Sequence, residues 1–272
     1  MSQSTEKRVP LNRARRHFLG LAAATGARIA GLGVLGASIL PMSQAKAAPK
    51  GNAWGWRRNR GACFLSGTSI LTSKGAVRVE DIRAGDLVRT IDGGTKPVRW
   101  IGHRVYKRTG PTWHPNIAPV RLTRHCLDGQ TPHRDLYISI GHALYIDGAL
   151  IEARYLLNGR SIAPTAPDGT VEYFNILLDS HDVIFAEGVP VETFCLSNGN
   201  QVVFSNFAEL DRMMPLASQV EMASYAPRLR YSGRDHLKAL LAIAANPFAI
   251  PSDPIADAQE RFASRPLEAA VL

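Results

Sequence analysis

Residues 62–90 read ACFLSGTSILTSKGAVRVEDIRAGDLVRT, and they predict the opening of a β-rich folded domain. Two apolar runs flank a Lys74–Gly75 turn, which is the pattern of a β-hairpin. Further along, Asp-Gly-Gly at 92–94 separates two more strand-like runs, a second hairpin signal. Cys63 stands directly ahead of the first strand. Its position raises the question of what a cysteine does at the first residue of a domain.

Short strand-like segments separated by turns continue from Cys63 to about residue 207. They are PVRLT, DLYISI, HALYIDGALIEARYL, YFNILL, DVIFAEGVPVETFCL and NQVVF. Because helices do not alternate with these strands, the fold class predicted for 63–208 is all-β. DHLKALLAIAANPF and DPIADAQERFAS then show helical spacing, so we expect a helical, Pro-interrupted extension over 209–272.

The formal net charge of +9 suggests an anionic partner, but the charge is unevenly distributed. Residues 1–47 contain seven Lys or Arg and one Glu, and residues 48–62 contain four basic residues and no acidic ones. From Cys63 onward, 21 basic residues face 22 acidic ones, so the predicted domain is nearly neutral. No zinc-finger spacing, RNA-binding motif or basic helix is present either. The sequence therefore predicts no nucleic-acid partner.

Residues 1–47 have the order of a secretory signal peptide. A basic stretch leads into a Gly- and Ala-rich apolar run and ends with the small residues Ala45 and Ala47. The paired Arg15 and Arg16, followed by Phe and Leu, resemble a twin-arginine signal, which implies export of a folded protein by the Tat machinery. We expect a periplasmic or extracellular location, membrane contact only through the leader, and a basic flexible linker over 48–62.

The alternative for this leader is a membrane anchor, since the apolar run from 19 to 40 is nearly long enough to span a bilayer. Arg28 lies in the middle of that run. A charge there costs about 2.5–3.5 kcal/mol on insertion scales, which favours the signal peptide.

Three separated stretches share one resemblance: ACFLSGTSILTSKGAVRVEDIRAGDLVRT at 62–90, DLYISIGHALYIDG at 135–148 and YFNILLDSHDVIFAEGVPVET at 173–193. In this order they resemble the blocks of the Hint domain of inteins and Hedgehog proteins, in particular its bacterial Hedgehog/intein-like branch. The resemblance implies a horseshoe-like β fold and self-processing chemistry.

The resemblance also implies roles for individual residues. Cys63 would attack the carbonyl of Ala62 and convert the Ala62–Cys63 peptide bond to a thioester by an N-to-S acyl shift. His142 would give a proton to the departing nitrogen, and Ser139 would bond the scissile amide or hold His142. His181 would face the same site and assist the second step.

The chain departs from splicing inteins where their terminal His-Asn pair stands, because Glu192 and Thr193 occupy that place. Neither residue can cyclise to cut a downstream bond, and Phe174 replaces the Asp that many inteins carry. We therefore expect no full splicing, and a thioester that water or an external nucleophile resolves. Cleavage would free the domain from its leader or release the linker peptide.

A catalytically inactive Hint-like module that binds a partner at the cell envelope is the alternative to self-cleavage. The His and Cys residues lack metal-ligand spacing, so no metal and no cofactor are predicted. The three cysteines leave open whether Cys126 and Cys195 pair or whether Cys63 is oxidised. Processing in the reducing cytoplasm, before export, would strand the domain inside the cell, and the sequence does not resolve this conflict.

Overall fold

The computed structural model describes residues 62–197, 199–229 and 253–265. The predicted signal peptide at 1–47, the linker up to residue 61 and the helical stretch DHLKALLAIAANPF at 235–248 lie outside the described residues.

The described residues form short strands, as their β-branched and aromatic content predicts. The strands are β1 (Phe64–Leu65), β2 (Ser69–Thr72), β3 (Gly75–Arg78), β4 (Leu87–Arg89), β5 (Thr95–Pro97), β6 (Trp100–Lys107), β7 (Val120–Leu122), β8 (Leu136–Ile138), β9 (Ala143–Ile146), β10 (Ala149–Glu152), β11 (Ile162–Pro164), β12 (Thr170–Leu177), β13 (Val183–Ala186), β14 (Val189–Glu192) and β15 (Arg228–Leu229).

These strands form two sheets. The first has six strands in the order β11-β7-β8-β1-β12-β6. The second has nine, in the order β15-β10-β9-β14-β13-β2-β4-β5 with β3 paired to β2. The all-β prediction is confirmed. Because β8 belongs to the first sheet and β9 to the second, the short connection between them places residues 139–142 where the two sheets meet.

Both hairpins predicted near the start of the domain are confirmed. Thr72 faces Gly75 across the β2–β3 turn, and Arg89 faces Thr95 across the β4–β5 turn. The turn ahead of β2 depends on Gly67, whose φ of 87° is left-handed and suits glycine. The Glu80 carboxylate accepts a hydrogen bond from the Gly67 backbone N–H at 2.8 Å. This bond ties the turn ahead of β2 to the short 3₁₀ turn Val79–Asp81 that follows β3.

The described residues near the C-terminus, 207–229 and 253–265, include two α-helices. Helix α1 spans Phe207–Met213 and helix α2 spans Pro254–Ala263, which the Asp253 carboxylate caps. Both pack on the domain, since Leu210, Ile255 and Phe262 are buried in its apolar clusters. The prediction missed β15, which pairs in parallel with β10. Within the described residues no helix is long and apolar enough to cross a membrane.

Candidate functional site

The peptide bond between Ala62 and Cys63 directly precedes β1, which lies between β8 and β12 in the six-stranded sheet. β1 begins at the next residue, and Phe64 faces Ile138 of β8 on one side and Phe174 of β12 on the other. The Cys63 backbone N–H donates to Ser139 Oγ at 3.0 Å, and the Cys63 carbonyl accepts from the Ser139 N–H at 2.9 Å. Ser139 therefore holds the nitrogen of the predicted scissile bond.

Asn175 holds the other end of the same bond. This fully buried side chain donates from Nδ2 to the carbonyl oxygen of Ala62. Its Oδ1 accepts the backbone N–H of Ile176 at 2.8 Å, which fixes which way the amide points. A neutral donor fixed on a carbonyl oxygen is what stabilises the negative charge that forms there when a nucleophile attacks.

The Cys63 thiol is buried in an apolar cluster that includes Trp100 and Tyr173. Burial raises the pKa of the thiol to about 12, while the Arg104 guanidinium acts in the opposite direction. A cavity of about 20 Å³ lies beside it, lined by Cys63, Arg104, Ser139 and Tyr173 among others. That volume accommodates about one water molecule. The thiol is therefore protonated at neutral pH and needs a base to react.

His142 is fully buried on the connection between β8 and β9. Its Nε2 lies 3.1 Å from the carbonyl oxygen of Glu192, whereas its buried Nδ1 makes no hydrogen bond. Nε2 therefore carries the proton, and the lone pair of Nδ1 is available as an acceptor. Its ring centroid is 4.5 Å from that of Phe64, the neighbour of Cys63.

The protonation state of His142 follows from its surroundings. Burial lowers the pKa of the ring, and the Glu192 carboxylate and contact with the Cys63 backbone only partly oppose that effect. The imidazole is therefore neutral at physiological pH, the state in which it can accept a proton.

Glu192 holds His142 from two directions. Besides the contact between its carbonyl and the ring, its Oε1 accepts the backbone N–H of Ala143, the next residue, at 2.9 Å. Its other carboxylate oxygen is hydrogen-bonded to Arg228 and lies 3.3 Å from His181 Nε2. Burial alone would raise the pKa of this carboxyl, but Arg228 and His181 outweigh it and hold the pKa at about 2.

His181 reaches the site through Glu192. Its Nδ1 accepts the backbone N–H of Tyr225 at 3.1 Å, so Nε2 carries the ring proton and faces the carboxylate. Burial would lower the pKa of His181, but the Cys195 thiol and Glu192 outweigh burial and raise it. The Tyr225 N–H works against that rise, because protonating Nδ1 would break its bond.

Of the site residues predicted from the sequence, the structure brings Ala62, Cys63, Ser139 and His142 together and puts His181 one residue further out. The sequence did not predict three residues of this arrangement, namely Asn175, Arg228 and Glu192 as a partner of His142. Asn175 could have been noticed as a lone amide within the buried and mostly apolar run from Tyr173 to Leu177. Thr193, the other residue at the intein His-Asn position, bonds Asp182 instead, through the backbone N–H of Asp182 at 2.9 Å.

The other groups weighed in the sequence do not take part in this arrangement. All three cysteines are free thiols, so Cys126 and Cys195 are not paired. Phe174 faces Phe64 in the sheet and stacks on His103. Across the described ranges, no cluster of three or more His, Cys, Asp or Glu side chains is arranged to hold a metal ion.

Comparison with known families identifies the same part of the chain as the domain that the sequence resembles. Residues 62–198 match the Hint domain family. The chain belongs to that family. The Hint match begins at Ala62, the residue whose carbonyl Asn175 holds, and it ends before the segment that supplies Arg228. No curated protein matches the chain.

Solved structures with similar folds include three intein-related domains. The bacterial intein-like domain from Clostridium thermocellum is 19% identical, covers 49% of this chain and 99% of its own, and has a TM-score of 0.36. The gp41-1 intein is 14% identical, covering 48% of this chain and 98% of its own, with a TM-score of 0.34. The DnaB intein from Synechocystis sp. PCC 6803 is 14% identical, covering 49% of this chain and 99% of its own, with a TM-score of 0.32.

Proposed function

We propose that this Hint-domain protein cuts its own Ala62–Cys63 peptide bond by an N-to-S acyl shift. One observation carries the proposal. Side chains hold both ends of a single peptide bond, Asn175 at the Ala62 oxygen and Ser139 at the Cys63 nitrogen, and the residue after the bond is a cysteine.

In the first step, the Cys63 sulfur attacks the carbonyl carbon of Ala62, and the thiol proton moves to Nδ1 of His142. With a thiol pKa of about 12, prior ionisation at pH 7 would cost roughly 7 kcal/mol, so proton transfer and attack occur together. The oxyanion forms on the oxygen to which Asn175 donates.

In the second step, the tetrahedral intermediate collapses. His142 returns its proton to the Cys63 nitrogen, the carbon–nitrogen bond breaks, and the thioester between Ala62 and the Cys63 sulfur is left. The nitrogen leaves as an amine, and Ser139 orients it by its hydrogen bond. Glu192 keeps His142 in place throughout, and its negative charge favours the imidazolium that exists between the two steps.

The thioester is then open to water or to an external nucleophile. A cavity of about 330 Å³ lies on the Ala62 side of the bond, lined by Ala62, Glu192, Cys195 and Arg228 among others. It is large enough for several water molecules or a small nucleophile. His181 lies 3.3 Å from the Glu192 carboxylate, which lines this cavity, and assists the second nucleophile through it. Hydrolysis ends the upstream peptide at Ala62 and leaves Cys63 as a new N-terminus.

The proposal also includes export of the protein from the cytoplasm. The leader at 1–47 directs the folded chain to the Tat machinery, and the protein acts in the periplasm or outside the cell, as a member of the bacterial Hedgehog/intein-like branch. Cleavage after Ala62 frees the domain from whatever of residues 1–62 remains attached.

The test is the mature N-terminus of the purified full chain, measured by mass spectrometry for the native protein, Cys63→Ala and the control Cys126→Ala. We expect a species that begins at Cys63 in the native protein and in Cys126→Ala, and none in Cys63→Ala. An uncleaved species that persists from residue 48 to 272 under all conditions would instead support the alternative, an inactive Hint-like module at the cell envelope.

A further inference from the structure

A segment beyond the Hint match, Glu221–Leu229, docks against the processing site. It forms a bridge between Ser197 and Glu221, and the Met222 backbone N–H donates to the Leu196 carbonyl at 2.9 Å. It then ends in β15, which pairs in parallel with β10. We call residues 221–229 the closing segment.

The closing segment brings one cation to the site. Arg228 is hydrogen-bonded to the Glu192 carboxylate, and its Nη1 lies 3.6 Å from Glu152 Oε1. The Arg228 side chain is 22% exposed, whereas those of Glu192 and Glu152 are only 1% and 5% exposed. A carboxylate so deeply buried needs a fixed partner, because leaving it unpaired costs several kcal/mol.

We propose that Arg228 is a positioning residue for the cleavage, so that the closing segment is part of the processing site. Arg228 fixes the Glu192 carboxylate, the carboxylate binds the backbone beside His142, and the Glu192 carbonyl holds the ring itself. The inference rests on the proposed function. It also implies that the site is complete only once residue 229 has been synthesised and docked, which delays cleavage until the domain has folded.

Electrostatics separates this role from a purely structural one. The charged groups that act on His142 are Glu192 on β14 and Arg228 on β15. Cys63 contacts the ring through its backbone, and His181 lies behind Glu192. Arg228 opposes the effect of Glu192 on the ring. Removing the guanidinium therefore raises the pKa of His142, so that a larger fraction of the ring is protonated and unable to act as a base.

The test uses the full chain with Arg228→Gln, Arg228→Lys and the control Arg261→Gln, whose guanidinium pairs with the exposed Asp147 at 2.7 Å. The cleavage rate is measured against pH. For Arg228→Gln we expect roughly tenfold slower cleavage. We also expect the acid limb of the pH–rate profile to move by about half to one pH unit toward higher pH. Arg228→Lys returns the limb to its native position, and Arg261→Gln changes neither quantity.

A second measurement does not depend on cleavage. In a Cys63→Ala background, NMR titration gives the pKa of His142 with and without Arg228→Gln, and we expect it to rise in the variant. The positioning role would be overturned if the pKa of His142 did not change. It would also be overturned if neither Arg228→Gln nor Arg228→Lys displaced the acid limb of the pH–rate profile. Failure of the native chain to cleave, with the His142 shift still present, would refute the proposed function alone.

Discussion

The two sides of the Ala62–Cys63 bond present different kinds of groups. The six-stranded sheet holds the bond itself with neutral hydrogen-bonding side chains, Asn175 from β12 and Ser139 after β8. Its Arg104, on β6, acts on the Cys63 thiol. The nine-stranded sheet supplies charges, Glu192 and its cation Arg228, which act on His142 from behind. His142 lies on the connection between the two sheets.

This division has a physical reason. A negative charge in direct contact with the peptide bond would oppose the oxyanion and would raise the pKa of the thiol further. Neutral donors and acceptors hold the bond without that effect. The charged groups tune the base instead, and because they are buried they are paired. Changes on the neutral side should therefore alter the rate of cleavage without altering its response to pH, whereas changes on the charged side should alter both.

The largest effect is expected on the neutral side. Asn175→Ala removes the donor from the oxygen that becomes the oxyanion, so the rate of cleavage should fall by about 10²- to 10³-fold. The matched control is Asn158→Ala, since Asn158 bonds only its own loop. Mass spectrometry of timed samples measures both rates. An Asn175→Ala protein that folds and cleaves within threefold of the native rate would remove Asn175 from the mechanism.

On the charged side, we expect a change of stability with pH. The pKa of Glu192 falls from its ordinary 4.5 to about 2 on folding. Its contribution is therefore complete above about pH 4.5, and roughly 3 kcal/mol is lost as the pH falls toward 2.

Chemical denaturation at pH 7 and pH 3 checks this prediction. Glu192→Gln should be less stable than the native protein at pH 7, with the gap narrowing at pH 3. Asp179→Asn, which breaks an exposed pair with Arg99, should change the free energy of unfolding by less than about 0.5 kcal/mol at either pH. A gap between native and Glu192→Gln protein that is the same at both pH values would argue against an ionised, paired Glu192.

Ser139→Ala tests whether the two neutral side chains, Ser139 and Asn175, contribute differently to the rate of cleavage. Ser139 accepts from the Cys63 N–H but does not touch the oxyanion, so only a hydrogen bond worth about 1 kcal/mol is lost. Cleavage should slow about fivefold, without any shift of its pH profile. Single-turnover rates across pH would show this. A loss as large as that of Asn175→Ala would mean that Ser139 contributes to the transition state directly.

The fold and half of the site could be predicted from the sequence because they depend on residues that lie close together along the chain. The hairpins at 69–78 and 87–97 follow from turn residues and apolar runs, and Cys63, Ser139 and His142 lie in recognisable blocks. The remaining residues depend on distant pairing. Asn175 acts only because β12 lies beside β1, more than 100 residues away in sequence.

Arg228 and Glu192 could not be predicted from the sequence for the same reason, because their roles also depend on contacts between distant segments. β15 is only two residues long and pairs with a strand over 70 residues earlier, so no periodicity marks it. From the sequence, Glu192 is only a residue that cannot cyclise. Its role became visible when the fold placed Ala143, Arg228 and His181 around one carboxylate.

The most direct test of the account is chemical capture of the acyl group on Cys63. The full-length chain, purified without thiols, is treated with hydroxylamine near neutral pH, and the upstream fragment is identified by mass spectrometry. We expect a fragment that ends in a hydroxamate at Ala62, together with a free N-terminal Cys63, and neither product from Cys63→Ala. If folded native protein yields no hydroxamate, or if Cys63→Ala yields as much, no thioester forms at this bond and the account is wrong.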